Sequence, residues 1–149
     1  MKRYRIGFDP YGLILFLLIM VPNFVWFGVP APNDVLRDTS VTPLVDGIAS
    51  VCQVLMIITL CLIIHRKAGK VVFRSKWIRV SILCCACYFV VWICYYQGFA
   101  GAFIIISLTV FPCLAFILYE IDRRNWISIF PTAAFSVLHL IHGIWNFIL

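Results

Sequence analysis

His139 and His142 stand three residues apart near the end of the chain, with Phe135 four residues before the first and Asn146 four after the second. On a helix turning ~100° per residue, these four side chains fall in one stripe about 60° wide. By the same spacing Asp46, Ser50 and Gln53 share a face of an earlier apolar stretch, and Asn23 lies in another. An imidazole exchanges a proton near neutral pH, and an intramembrane carboxylate is costly enough that a task is expected of it. Asp46, His139, His142, Asn146, Asn23 and Gln53 are therefore the candidate ligand-binding residues, for a proton, a metal ion or a polar molecule. If a metal is bound, His139, His142 and Asp46 are its candidate ligands, with water as the fourth. No cofactor is required by the sequence. Metalloprotease helices space their histidines at i and i+4 around a glutamate, which is absent here, and two histidines on one helix cannot supply both axial ligands of a haem without a second chain. A structural reading stands beside the functional one: such groups also hydrogen-bond one another between transmembrane helices. Asn23 and Gln53, taken alone, fit it better.

These residues must be positioned by membrane helices. The chain has 149 residues, 64% of them hydrophobic and 12% charged, too little polar material to cover a water-soluble globule. Its apolar stretches repeatedly reach the ~20 residues that cross ~30 Å of hydrocarbon. The reading is all-α: a single domain, 1–149, forming an integral membrane bundle of five transmembrane helices at about 9–28, 42–65, 77–97, 101–119 and 126–148. Asp9-Pro10 and Thr42-Pro43 each offer a capping side chain followed by a proline where a missing N–H costs nothing. Residues 29–41, with Pro30, Pro32, Asp34 and Asp38, read as an ordered or partly ordered loop. The turn at Gly98-Phe99-Ala100-Gly101 makes the third and fourth spans antiparallel neighbours. The first span is read as an uncleaved anchor rather than a signal peptide, because Pro32 follows the cleavage-like Val29-Pro30-Ala31.

Five spans place eleven of the twelve Lys and Arg residues on one side, leaving Arg37 alone opposite. The positive-inside rule then sets the N-terminus in the cytoplasm and the C-terminus outside, in a multi-pass protein of the cell membrane. Tyr11, Trp77, Tyr119 and Trp126 are expected at one interface, Trp26, Tyr95, Tyr96 and Trp145 at the other. The net charge of +6 is topological, and no nucleic-acid partner is expected because no basic face interleaved with aromatics exists. The cations between positions 65 and 79 also suit anionic lipid headgroups or an acidic protein. All seven cysteines lie in the spans and read as packing residues. Pro22, Pro112 and Pro131 should bend their helices, as in bundles that hold a cavity and also in passive ones.

Phe135-x-x-x-His139 and His142-x-x-x-Asn146 resemble the second and third motifs of the CAAX-type (Abi) membrane proteases. In that family the two motifs sit on separate helices, and a paired-glutamate motif with a downstream arginine does the acid–base work. Here they are fused in one helix, and the only glutamate, Glu120, stands alone at the end of the fourth span. The catalytic half of the family pattern is missing. Phe8-Asp9-Pro10-Tyr11-Gly12-Leu13 with Val21-Pro22-Asn23 is similar to the start of small polytopic membrane proteins of Gram-positive bacteria, a resemblance that implies the membrane class and no activity.

By counting along the helices, Asn23, Asp46, Ser50, Gln53, His139, His142 and Asn146 all come out in the outer half of the bilayer, and the inner half is expected to be nearly bare of such groups. The first expectation is a ligand- or ion-binding protein related to transport. The alternative is a non-catalytic partner subunit of another membrane protein; a metal-dependent or protease-like enzyme comes third, and no catalytic residue is assigned. So small a bundle is expected to enclose little volume alone, hence a homo-oligomer or another membrane protein as partner.

Overall fold

The computed structural model describes residues 3–149. Five helices account for most of it: α1 (Pro10–Gly28), α2 (Pro43–Leu62), α3 (Lys76–Tyr96), α4 (Ala102–Asp122) and α5 (Trp126–Phe147). Each has 19 to 22 residues and is long and apolar enough to cross a membrane. α3 packs along α4, α4 along α5 and α5 along α2, while α1 makes lighter contacts with α2, α3 and α4.

Two differences from the expected spans have plain physical causes. The second helix stops at Leu62, because Ile63–His65 (β2) leaves it to pair antiparallel with Tyr4–Ile6 (β1), in the register Tyr4 with His65 and Ile6 with Ile63. Runs of three residues are too short for an alternating pattern to stand out in sequence. The fourth helix runs on to Asp122, as Glu120 is packed inside the bundle instead of ending the span.

Helix ends are tied by buried polar residues. Asp9 Oδ1 accepts from the N–H groups of Tyr11 and Gly12 at 3.2 and 3.3 Å, capping α1 as its sequence predicts. The same oxygen accepts from the Tyr119 hydroxyl at 2.9 Å, and Arg123 Nε lies 3.4 Å from Oδ2. Asn125 does similar work between α2 and α5. Its Oδ1 accepts from Ser128 N, while its Nδ2 donates at 3.0 Å to the carbonyls of Thr59 and Ile63, which end α2. At the tight turn between α3 and α4, Gly98 takes φ 94°, a conformation that side chains disfavour. Gly143 serves close approach instead: a Cβ there would lie 3.1 Å from Thr109 Oγ1, so its absence lets α5 press on α4.

The loop between α1 and α2 is ordered around Asp34. Trp26 Nε1 and the Tyr95 hydroxyl donate to its Oδ1 at 2.8 and 2.9 Å, and Ala31 N and Arg37 Nε to its Oδ2 at 3.2 and 2.7 Å. Burial alone would push this carboxyl's pKa up, but the bonds from Trp26, Tyr95, Arg37 and Ala31 outweigh it and hold the group below the usual carboxylate range. Arg37 also donates to the Trp26 carbonyl and stands 4.9 Å from the centre of its ring. Of the residues expected in the outer aromatic belt, Tyr95 is wholly buried and Trp26 is half-buried with its indole N–H on Asp34. Tyr119, expected in the inner belt, is buried on Asp9. Tyr11, Trp77, Trp126 and Trp145 do face outward. In each of these three cases a carboxylate, Asp34 or Asp9, accepts the hydroxyl or indole N–H that would otherwise reach for water.

Candidate functional site

Between the five helices lies a cavity of about 400 Å³, with walls from every one of them and a contribution from Leu36 of the ordered loop. A single chain thus forms a ligand-sized but partly open space, larger than the little volume expected of so small a bundle. Most of the wall is aromatic or aliphatic. Phe16, Trp26 and Phe27 come from α1, Tyr88 and Trp92 from α3, Phe116 from α4, and Phe135 and Phe147 from α5. Pro112 in α4, together with Leu108 one turn earlier, belongs to the same lining.

Asn23, Asp46, Gln53, His139 and His142 all line this cavity. The two polar stripes read from α2 and α5 do meet. His142 Nδ1 and Asp46 Oδ1 are 2.5 Å apart, with both side chains less than a third exposed. Asn146 Nδ2 also lies near that nitrogen, at 3.2 Å, but its two protons go to Thr42 Oγ1 at 2.7 Å and the His142 carbonyl at 2.9 Å. The shared proton between ring and carboxylate is therefore assigned to His142 Nδ1, which makes Asp46 the acceptor and leaves Nε2 as the ring's other polar atom.

Asn146 itself is absent from the lining. Its Oδ1 accepts from Val41 N at 2.6 Å, so it clamps the entry of α2 onto the end of α5. Thr42, expected to cap α2 through its hydroxyl, instead donates to Asp46 Oδ1 at 3.3 Å. Asn23 Nδ2 donates to the Tyr88 hydroxyl at 2.8 Å and to the Ile19 carbonyl at 3.1 Å.

Several cavity groups have no internal partner among the described residues. The His139 ring stacks on Phe135, 5.0 Å between centroids and 15° between planes, and lies parallel to His142 at 6.3 Å, yet neither of its nitrogens is hydrogen-bonded. The Gln53 amide is likewise unbonded. Asp46, His142, Asn146 and Asn23 are bonded within the bundle, as the structural reading expects, whereas His139 and Gln53 are left with polar atoms that a ligand would satisfy. Among the described residues no three of the His, Cys, Asp and Glu side chains come close enough to hold a metal ion, so His139, His142 and Asp46 are not gathered as a metal triad. Stacking explains this: parallel rings at 6.3 Å do not direct two nitrogens at one point.

The opposite half of the bundle, expected to be nearly bare of polar groups, is not. Glu120, Ser128 and Thr132 are completely buried there, joined by Thr59 and Asn125. The signal was present in α5, where Asn125, Ser128 and Thr132 continue, at spacings of three and four, the stripe that carries His139, His142 and Asn146. Of the cavity walls, Tyr88 and Trp92 were missed because aromatic residues in a span look the same in sequence whether they face lipid or ligand.

Comparison of the chain with protein-family models, with curated proteins and with solved structures gives no match. The five apolar helices make this a multi-pass membrane protein.

Proposed function

We propose that the protein binds a small, mainly apolar organic cation in the cavity, as part of moving or sensing that molecule at the membrane. The observation that carries this reading is the lining itself: one carboxylate, Asp46, no Lys or Arg, and a wall rich in aromatic rings. A cation gains from the faces of Trp and Tyr and from a nearby carboxylate. Unbonded His139 and Gln53 supply further hydrogen bonds to a polar head. The volume of about 400 Å³ suits a molecule with one ring or a short branched chain.

The same proposal orients the bundle in the cell membrane with its N-terminus in the cytoplasm, so that Asp46 and His142 lie towards the outside. The eleven cations at the other end of the helices support that orientation, and those in residues 65–79 suit anionic headgroups on the cytoplasmic face.

A direct test uses tryptophan emission, since Trp26 and Trp92 both line the cavity. The protein in lipid nanodiscs is titrated with 2-phenylethylamine and with its neutral analogue 2-phenylethanol. Saturable quenching is expected with the amine, at clearly lower concentration than with the alcohol. It should be lost in Gly143→Leu, whose side chain enters beside Thr109 and fills the cavity wall. Quenching that never saturates, or that is the same in Gly143→Leu, would count against a cation site.

A further inference from the structure

Glu120 is the only glutamate in the chain and is 0% exposed. Its Oε1 accepts two hydrogen bonds, from Ser128 Oγ and Thr132 Oγ1, each at 2.6 Å. Thr59 Oγ1 reaches Ser128 Oγ at 3.0 Å, so α2, α4 and α5 all contribute. Oε2 is buried and, among the described residues, has no partner. The ion pairs formed among those residues, Asp34 with Arg37, Asp9 with Arg123 and Asp46 with His142, do not include it.

The ionisable groups around this end of the bundle are engaged elsewhere or turned away. Tyr119 and Arg123, one residue before and three after Glu120, are bound to Asp9 at the head of α1. Asp122 takes the Ser75 hydroxyl before α3, and Lys76 and Arg79 on α3 are exposed. α2 presents the Cys61 thiol and β2 the half-buried His65, while α5 has no ionisable side chain before His139.

An ionised carboxylate spreads its charge over two equivalent oxygens and needs donors at both. Here both hydroxyls converge on one oxygen, and the other is buried with no donor among the described residues. An isolated buried charge costs far more than a single unpaired neutral O–H. A carboxylic acid fits the arrangement: Oε1 as its carbonyl accepts Ser128 and Thr132, and Oε2 carries the hydrogen.

We infer that Glu120, with Ser128, Thr132 and Thr59, is a proton-binding site that is loaded in this conformation. The event is protonation of the carboxylate at Oε2 and nothing else, with release as its reverse. A sodium ion suits the cluster less well, because the oxygens of Glu120, Ser128 and Thr132 are already in hydrogen-bond contact and leave no gap between them. The site lies in series with the cavity. Asn125, Ser128, Thr132, Phe135, His139, His142 and Asn146 share one face of α5 by their spacing, and Phe135, three residues after Thr132, already lines the cavity. Two carboxyl groups, Glu120 and Asp46, thus stand towards opposite ends of one largely polar helix face. The inference holds whatever the cavity takes.

Infrared spectra of the full chain in phosphatidylcholine nanodiscs, between mildly acidic and alkaline buffer, test it. The wild type should show at neutral pH a carboxylic-acid C=O stretch above the amide band that moves in deuterated buffer and is lost in Glu120→Gln. Thr132→Val, which removes one donor from that C=O, should keep the band's intensity and shift it to higher frequency. Either variant decides if the other fails to fold. Identical spectra for wild type and Glu120→Gln, or an unshifted band in Thr132→Val, overturn the inference. So does loss of the band when sodium replaces potassium at fixed pH, which would make this a cation site.

Discussion

Replacing Asp9 with alanine is expected to cost the folded protein about 3–5 kcal/mol, the range for breaking a buried ion pair by removing one partner. Asp9 accepts two N–H groups at the start of α1 and the Tyr119 hydroxyl, and pairs with Arg123; the Asp9 and Arg123 side chains are only 8% and 12% exposed. Alanine leaves the buried Tyr119 phenol without its acceptor and the nearly buried Arg123 guanidinium without its counter-charge, held only by the Gly69 carbonyl at 2.6 Å, at the point where α1 is fastened to α4. The helix cap accounts for roughly 1 kcal/mol of the loss. Asp9→Asn separates the contributions, since its carbonyl can still cap and still accept from Tyr119. Its expected cost is about 1–2 kcal/mol. Denaturant titration of both variants in detergent micelles, followed by helical circular dichroism, gives the two numbers. An Asp9→Ala value within about 0.5 kcal/mol of wild type, as for an uninvolved surface position, would contradict this account of the α1–α4 junction.

The second large effect is on binding rather than folding. Asp46→Asn should weaken 2-phenylethylamine by roughly ten- to a hundredfold, because a hydrogen bond to a charged group contributes about 1.5–3 kcal/mol and each 1.4 kcal/mol is tenfold. Its cost in stability should be smaller, under about 2 kcal/mol, since polar bonds between membrane helices average well below that. The contrast is diagnostic. If Asp46 and His142 were only a clasp between α2 and α5, the variant would melt earlier and the amine titration of the folded fraction would not move. Affinity for 2-phenylethanol should change little in the same variant, because its head carries no charge for Asp46 to meet.

The helices and the two polar stripes were legible in sequence for a simple reason, though not that the stripes meet, which rests on how α2 and α5 pack. Spans are marked by length and apolarity, and a polar residue in lipid must face protein, so the rotation of Asp46 and of His139/His142 about their own helices predicted where each would point. That Asp9 would cap α1 followed from the proline after it. What could not be read was depth and partnership. Glu120 sits three residues before the Arg123-Arg124 pair and looks like an end-of-span residue; only the turn of α5 back over it brings Ser128 and Thr132 onto its carboxyl. Tyr95 and Trp26 match an aromatic belt by position alone. Their destination depends on Asp34, in a loop whose course no periodicity records. Asn146 shows the converse case, correctly placed on the stripe yet occupied in holding Val41 and Thr42 instead of facing the cavity.

The claim at the centre is that the cavity between the five helices holds a small organic cation. Native mass spectrometry of the protein extracted into polymer nanodiscs, without detergent, addresses it most directly when run beside the His139→Ala/His142→Ala double variant. The account predicts a discrete adduct on the wild type, of small-molecule and not phospholipid mass, that is missing from a variant of unchanged helical content. A wild type carrying only phospholipid, with a spectrum the double variant reproduces, would contradict it.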